Sequence, residues 1–213
     1  MSAAIEQDLA AALAGGACCF GQIAIHRSKS GFVLKHRDDE ESDRLQTFRR
    51  PEDAIEIAKF DDTKNYRPLK TAPSLRRGWR MEVIDLSELA LALDYFYPGR
   101  LGAFNAWKQK SLSVTPLRET LDRQSGMYRI AAKISDEQVD ELVGSFCRSD
   151  GGCLRTILWK RDQQGTVPST KLPPEKFDLS HDQTEKGDSA IPLLCQEACH
   201  LLVNECRKAV KSE

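Results

Sequence analysis

The chain has 213 residues, with 31 basic against 32 acidic side chains and 40% hydrophobic residues. That length supplies ample core for one large or two small domains, and the near-balance of charge removes any bulk electrostatic case for nucleic acid or a membrane surface. No apolar run approaches a membrane span, and Met1-Ser2-Ala3-Ala4-Ile5-Glu6 lacks the basic start and apolar stretch of a signal peptide.

Taken in order, residues 3–14 read as a helix with Ile5, Leu9, Ala12 and Leu13 on one face, stopped by Gly15-Gly16. A period-two pattern follows. Ile23 and Ile25, then Phe32 and Leu34 after Ser28-Lys29-Ser30-Gly31, predict a β-hairpin. Cys18 and Cys19 stand at its start, where ordinary strand packing is expected, with a vicinal disulfide or a remote ligand as the alternatives. His26 and His36 with Asp38 and Asp39 offer a minor alternative metal site against solvated edge residues. Pro51 to Phe60 reads as a helix with Ala54, Ile57 and Ala58 inward. Arg76, Arg77 and Arg80 around Trp79 form a local basic patch, read as the flank of a strand over 78–84 with an anion site as the alternative.

Asp85 with Glu88 resembles a capping box. It opens a helix that buries Leu86, Leu89, Leu93 and Phe96 and ends at Tyr97-Pro98-Gly99. Another helix is expected over Leu101 to Leu112. A boundary falls near Ser111–Ser113, giving a domain over 1–112 and a second over 113–213. In the second, Thr115-Pro116 caps a short helix over 116–124, and Met127 to Lys133 is expected as a strand. Ser135, with Gln138 three residues later, starts a helix carrying Val139, Leu142 and Val143 toward the first cysteine. The fold class is α+β: a small N-terminal α/β domain with an antiparallel hairpin, then a mostly helical cysteine-bearing domain. A polar, proline-bearing loop over 160–189 interrupts the latter.

Five of the seven cysteines fall in this last part. Cys147 and Cys153 bracket a C-x5-C loop containing Gly151-Gly152, and Cys195 and Cys199 form a C-x3-C read as the first turns of a helix. Such a density without an export signal suits a reducing cytoplasm and metal binding. Two helical positions four apart are separated by about 6 Å of rise, whereas thiolates on one tetrahedral zinc, each about 2.3 Å from the ion, approach to roughly 3.8 Å. A cubane with separated iron corners accepts the wider spacing more readily. A 4Fe–4S cluster is therefore favoured over zinc, with reduced thiols or a disulfide pair as a third reading. Cys206, about 10 Å along the helix from Cys199, is expected as a buried apolar thiol.

These residues also carry a resemblance. Arg123-Gln124-Ser125-Gly126-Met127-Tyr128, Phe146-Cys147 through Cys153-Leu154-Arg155-Thr156-Ile157-Leu158-Trp159, and Cys195-Gln196-Glu197-Ala198-Cys199 resemble an iron–sulfur domain of multidomain proteins that also contain a CbiX-type, sirohydrochlorin-chelatase-like domain. Tyr66-Arg67-Pro68-Leu69-Lys70 with Gly78-Trp79 resembles their stabilising domain. The resemblance implies a 4Fe–4S cluster ligated by Cys147, Cys153, Cys195 and Cys199. The 213 residues show no room or motif for the chelatase domain itself.

No Walker loop, G-x-G-x-x-G, H-E-x-x-H or G-x-S-x-G motif occurs, so no catalytic residues are assigned and an enzyme in its own right is the least favoured class. The expected function is electron transfer or accessory service to a chelatase-like protein in tetrapyrrole or cobalamin metabolism. The alternative is a cluster- or zinc-stabilised interaction module without a redox role. His200 reads by default as a helix-surface histidine, with tuning of the centre as the alternative; Arg148 and Arg155 either raise its potential or pair with Asp150 or Glu197, and the docking face is expected near Trp159 and Arg155.

Overall fold

The computed structural model describes residues 3–39, 44–61, 63–67, 74–147, 156–162 and 189–212. In chain order these residues form helix α1 (Ala3–Ala12), strands β1 (Ala17–Phe20), β2 (Ile23–Ser28), β3 (Gly31–His36) and β4 (Gln46–Phe48), and helix α2 (Ala54–Lys59). Strand β5 (Trp79–Val83) and helices α3 (Leu86–Phe96), α4 (Arg100–Lys108), α5 (Leu117–Asp122) and α6 (Asp136–Leu142) follow. The chain ends with β6 (Thr156–Ile157), β7 (Ser189–Ile191), β8 (Leu194–Cys195) and helix α7 (His200–Lys211). No helix among the described residues is long and apolar enough to cross a membrane.

The chain divides into two compact units, one comprising 1–111 with 178–193 and the other 112–177 with 194–213. In the first, six strands form one sheet in the order β4-β5-β3-β2-β1-β7. The hairpin β2–β3 pairs Ile23 with His36 through Ser28 with Gly31, as the alternation of its apolar residues dictates. Strands β4 and β7 add in parallel at the two edges. The turn between β1 and β2 depends on Gly21, whose φ of +61° favours glycine. A Cβ there would also lie 2.8 Å from the Tyr97 ring. Tyr97 is fully buried, its hydroxyl accepts the Gln22 backbone N–H at 2.9 Å, and its ring meets Phe20 edge-on at 5.4 Å.

Helix α3 starts as its sequence requires. Asp85 accepts the Glu88 N–H at 2.9 Å, and Glu88 in turn accepts the Ile84 N–H at 3.0 Å. The helix buries Leu89, Ala90, Leu93 and Phe96, with Phe96 stacked on Trp79 of β5 at 4.8 Å. The arginines around Trp79 are engaged with polar neighbours: Arg77 with Asp38 at 2.7 Å, Arg80 with Glu82 at 2.8 Å and Arg76 with Gln46 at 3.2 Å. This is the flank of a strand. His36, expected at a solvated edge, is instead 1% exposed, and its Nδ1 accepts the Asp38 N–H at 3.1 Å.

The second unit is mostly helical. Its core joins Leu117 and Leu121 of α5, Val139 of α6, Trp159, and Leu202, Val203 and Cys206 of α7. Ser135 and Gln138 close the reciprocal capping box predicted for α6. One element differs from expectation. Residues Gly126–Lys133 form a 3-10 helix, not a strand. Their period-two apolar pattern is short, and the segment packs on helices α5 and α7 with no strand partner among the described residues.

Candidate metal centre

Cys147 lies at the C-terminal end of a π-helical turn, Val143–Cys147, that continues directly from α6. Cys195 is the last residue of β8, and the structure corrects its assignment to a helix. Strand β8 pairs in parallel with β6, Ile157 opposite Cys195, and the Leu158 N–H donates to the Cys195 carbonyl at 2.9 Å. That ladder holds Cys195 extended, so the C-x3-C passes through a bend at 196–198 and the helix begins only at His200. Cys199 is the N-cap of α7. The four-residue spacing is therefore not a helical one, and the rise argument that weighed against zinc does not apply to this pair.

Cys147 and Cys195 belong to the apolar core of the second unit, and Cys199 packs against the same core half-buried. Trp159, 1% exposed, donates its indole N–H to the Cys195 sulfur at 3.3 Å. The Cys195 thiol donates to the Glu197 carbonyl, also at 3.3 Å. Metal binding displaces that thiol proton, leaving the indole as a donor to the thiolate. Cys199 stands where the unsatisfied N–H groups of the first turn of α7 favour negative charge. Cysteine sulfurs in and against one apolar core, with a hydrogen-bond donor on one of them and a helix N-terminus at another, are a soft donor set whose chemistry fits an iron–sulfur centre.

Cys153, Arg148 and Arg155 lie outside the described residues. Among the described residues, no three His, Cys, Asp or Glu side chains are grouped as ligands of one ion; that holds for Cys147, Cys195 and Cys199 as it does for the hairpin histidines with Asp38 and Asp39. Cys206 is fully buried, and burial, the largest influence, pushes its thiol up to about 11. It is an apolar core residue seven positions beyond Cys199 on α7. Cys18 is also buried, with its thiol pushed up to about 12 mainly by burial, and among the described residues Cys18 and Cys19 of β1 form no disulfide.

Trp159 was expected near a docking face, but it is interior and acts on a sulfur. Sequence spacing carries no signal for that contact, because it depends on the pairing of β6 with β8. Glu197 pairs with Arg123.

The 4Fe-4S iron-sulfur cluster binding domain family matches residues 109–208, and the DR2241 stabilising domain family matches residues 5–111. Among solved structures, this chain is similar to DR2241 from Deinococcus radiodurans, described as a multi-domain protein with structural similarity to chelatases and two additional novel domains. The TM-score is 0.74 at 27% identity, over 98% of this chain and 42% of that one. The chain thus spans less than half the length of that protein. No curated protein matches. The cysteine-rich part of the chain is a 4Fe–4S cluster binding domain, and through residues 5–111 the chain belongs to the DR2241 stabilising domain family.

Proposed function

We propose that Cys147, Cys153, Cys195 and Cys199 hold the 4Fe–4S cluster and that the chain serves as an electron-transfer or accessory partner of a chelatase-like protein acting on tetrapyrroles. The observation that carries this reading is the indole of Trp159 on the Cys195 sulfur at 3.3 Å, inside the core that also contains Cys147. A hydrogen bond to a ligating sulfur favours the reduced state of such a centre. A centre that served only to brace the fold would gain little from that donor. When bound, the cluster supplies one-electron chemistry. The protein's own residues fix the sulfurs: β8 holds Cys195, the cap of α7 holds Cys199, and the turn after α6 holds Cys147. The similarity to a chelatase-like protein supports the choice of partner.

A specific observation also favours the structural alternative. Two of the proposed ligands are integral to the core, so ligation would brace the unit whether or not an electron moves. Potentiometry combined with a metal-insertion assay decides between them. Reversible reduction that alters insertion by a co-purifying chelatase-like protein supports the redox role. A complex that forms around a centre inert over the cellular range leaves the bracing role.

A further inference from the structure

The segment Gly126–Lys133 and helix α7 pack against each other, and together they carry a marked local excess of positive charge. Their residues include Arg129, Lys133, Arg207, Lys208 and Lys211 against a single acidic side chain, Glu205. Glu205 is taken by Lys208 at 2.7 Å. Among the described residues, Arg129, Lys133, Arg207 and Lys211 form no ion pair. The chain as a whole has a formal net charge of −1, so this excess is local and not a property of composition.

The first of these two segments also exposes apolar surface. Met127 is 67% exposed and Tyr128 37% exposed. The Arg207 guanidinium sits 5.0 Å over the Tyr128 ring, with Nη1 3.8 Å from the Met127 sulfur and Nη2 donating to Asn204 at 3.2 Å. His200, Asn204, Arg207 and Lys211 follow one another at spacings of four, three and four along one face of α7. Beside them opens a cleft of about 630 Å³, lined by Thr120, Gln124, Tyr128, Glu197, His200 and Asn204 among others. Its wall also includes Ala198, so the residues on both sides of Cys199 face it. Exposed apolar side chains under one guanidinium, on two packed elements rich in cations, suit a transient, electrostatically steered interface.

We propose that this face docks an acidic one-electron carrier protein, whose redox group enters from the cleft side next to Cys199. The proposal rests on the electron-transfer reading above. One electron passes from the carrier to the centre; no bond is made or broken, the carrier being oxidised as the centre is reduced. An acidic partner fits because Arg129, Lys133, Arg207 and Lys211 form no ion pair among the described residues, and fast exchange requires association steered by charge and little buried area. Nucleic acid fits less well, since the patch offers one exposed aromatic ring and not a row of stacking platforms.

The test uses the full-length, anaerobically prepared holo-protein and a reduced flavodoxin with an acidic surface as probe, followed by stopped-flow spectroscopy. The second-order rate constant is expected to fall at least about tenfold from low to physiological salt. The pair Arg129→Glu with Lys133→Glu, and separately Lys211→Glu, should each slow the low-salt reaction by about tenfold or more. Iron content and visible spectrum should stay unchanged. Dithionite separates the two failures. If dithionite cannot reduce the protein, the electron-transfer reading itself fails and the proposal falls with it. If dithionite reduces it but the flavodoxin rate ignores both salt and the reversals, only the docking face is overturned. Tighter binding of a labelled single-stranded RNA than of flavodoxin at physiological salt would also overturn the choice of partner.

Discussion

The indole N–H of Trp159 donates to the Cys195 sulfur at 3.3 Å across 36 residues of sequence. Strands β6 and β8 impose this contact, with Thr156 opposite Leu194 and Ile157 opposite Cys195. Trp159→Phe preserves the ring and deletes the donor. The midpoint potential of the centre should drop by on the order of 60 mV, a tenfold change in a one-electron equilibrium, with iron content retained. Spectroelectrochemical titration of both proteins measures it; an unchanged potential would show that the indole only packs.

Cys206 separates ligand from core thiol. Cys206→Ala should keep the full chromophore, because that residue lies about two helical turns beyond the Cys199 cap. It should still cost about 1 kcal/mol of stability for the small cavity left in the core. Absorbance and thermal melting check the two halves of the statement. Loss of colour in Cys206→Ala would place that thiol among the ligands.

Removing the metal should affect the two units differently. The second unit is expected to loosen without its thiolate ligation, whereas the first keeps its six-stranded sheet. Ser189–Ile191 pairs in parallel with Cys18–Phe20, so its amides should stay protected with the first unit although its neighbours in sequence lose protection. Hydrogen exchange on the apo-protein gives the answer. Collapse of protection in β7 together with α7 would contradict it.

Tyr97 predicts an alkaline limit to stability. Burial, the largest influence, pushes its phenol from 10.0 up to about 12. The folded state therefore binds the proton more tightly than the unfolded chain. The stability this contributes is complete below pH 10 and is lost as pH rises from 10 through about 12. Tyr97→Phe should remove that slope. It should also destabilise at neutral pH by about 1–3 kcal/mol, because the buried Gln22 N–H loses its acceptor. Denaturant melts at pH 7 and across the alkaline range test both effects.

Local signals made most of the fold legible. The hairpin was set by the alternation of Ile23, Ile25, Phe32 and Leu34, and the helix starts by Asp85–Glu88 and Ser135–Gln138. The resemblance named the iron–sulfur class; the four cysteines it implies as ligands are the proposal made above. What escaped was non-local. Strand β7 is three residues long and finds its partner β1 some 170 positions earlier, so no periodicity announces it. Cys195 read as helical because Gln196-Glu197-Ala198 favours a helix, yet pairing with β6 overrides that preference. The same pairing sets Trp159 beside the sulfur, a role hidden from spacing.

The most direct test of the account is metal and sulfide analysis of the protein produced anaerobically, alongside the four single variants Cys147→Ala, Cys153→Ala, Cys195→Ala and Cys199→Ala. The account predicts about four iron and four acid-labile sulfide per chain, with the brown chromophore lost in each variant. A fully structured, iron-free protein carrying one zinc would contradict it.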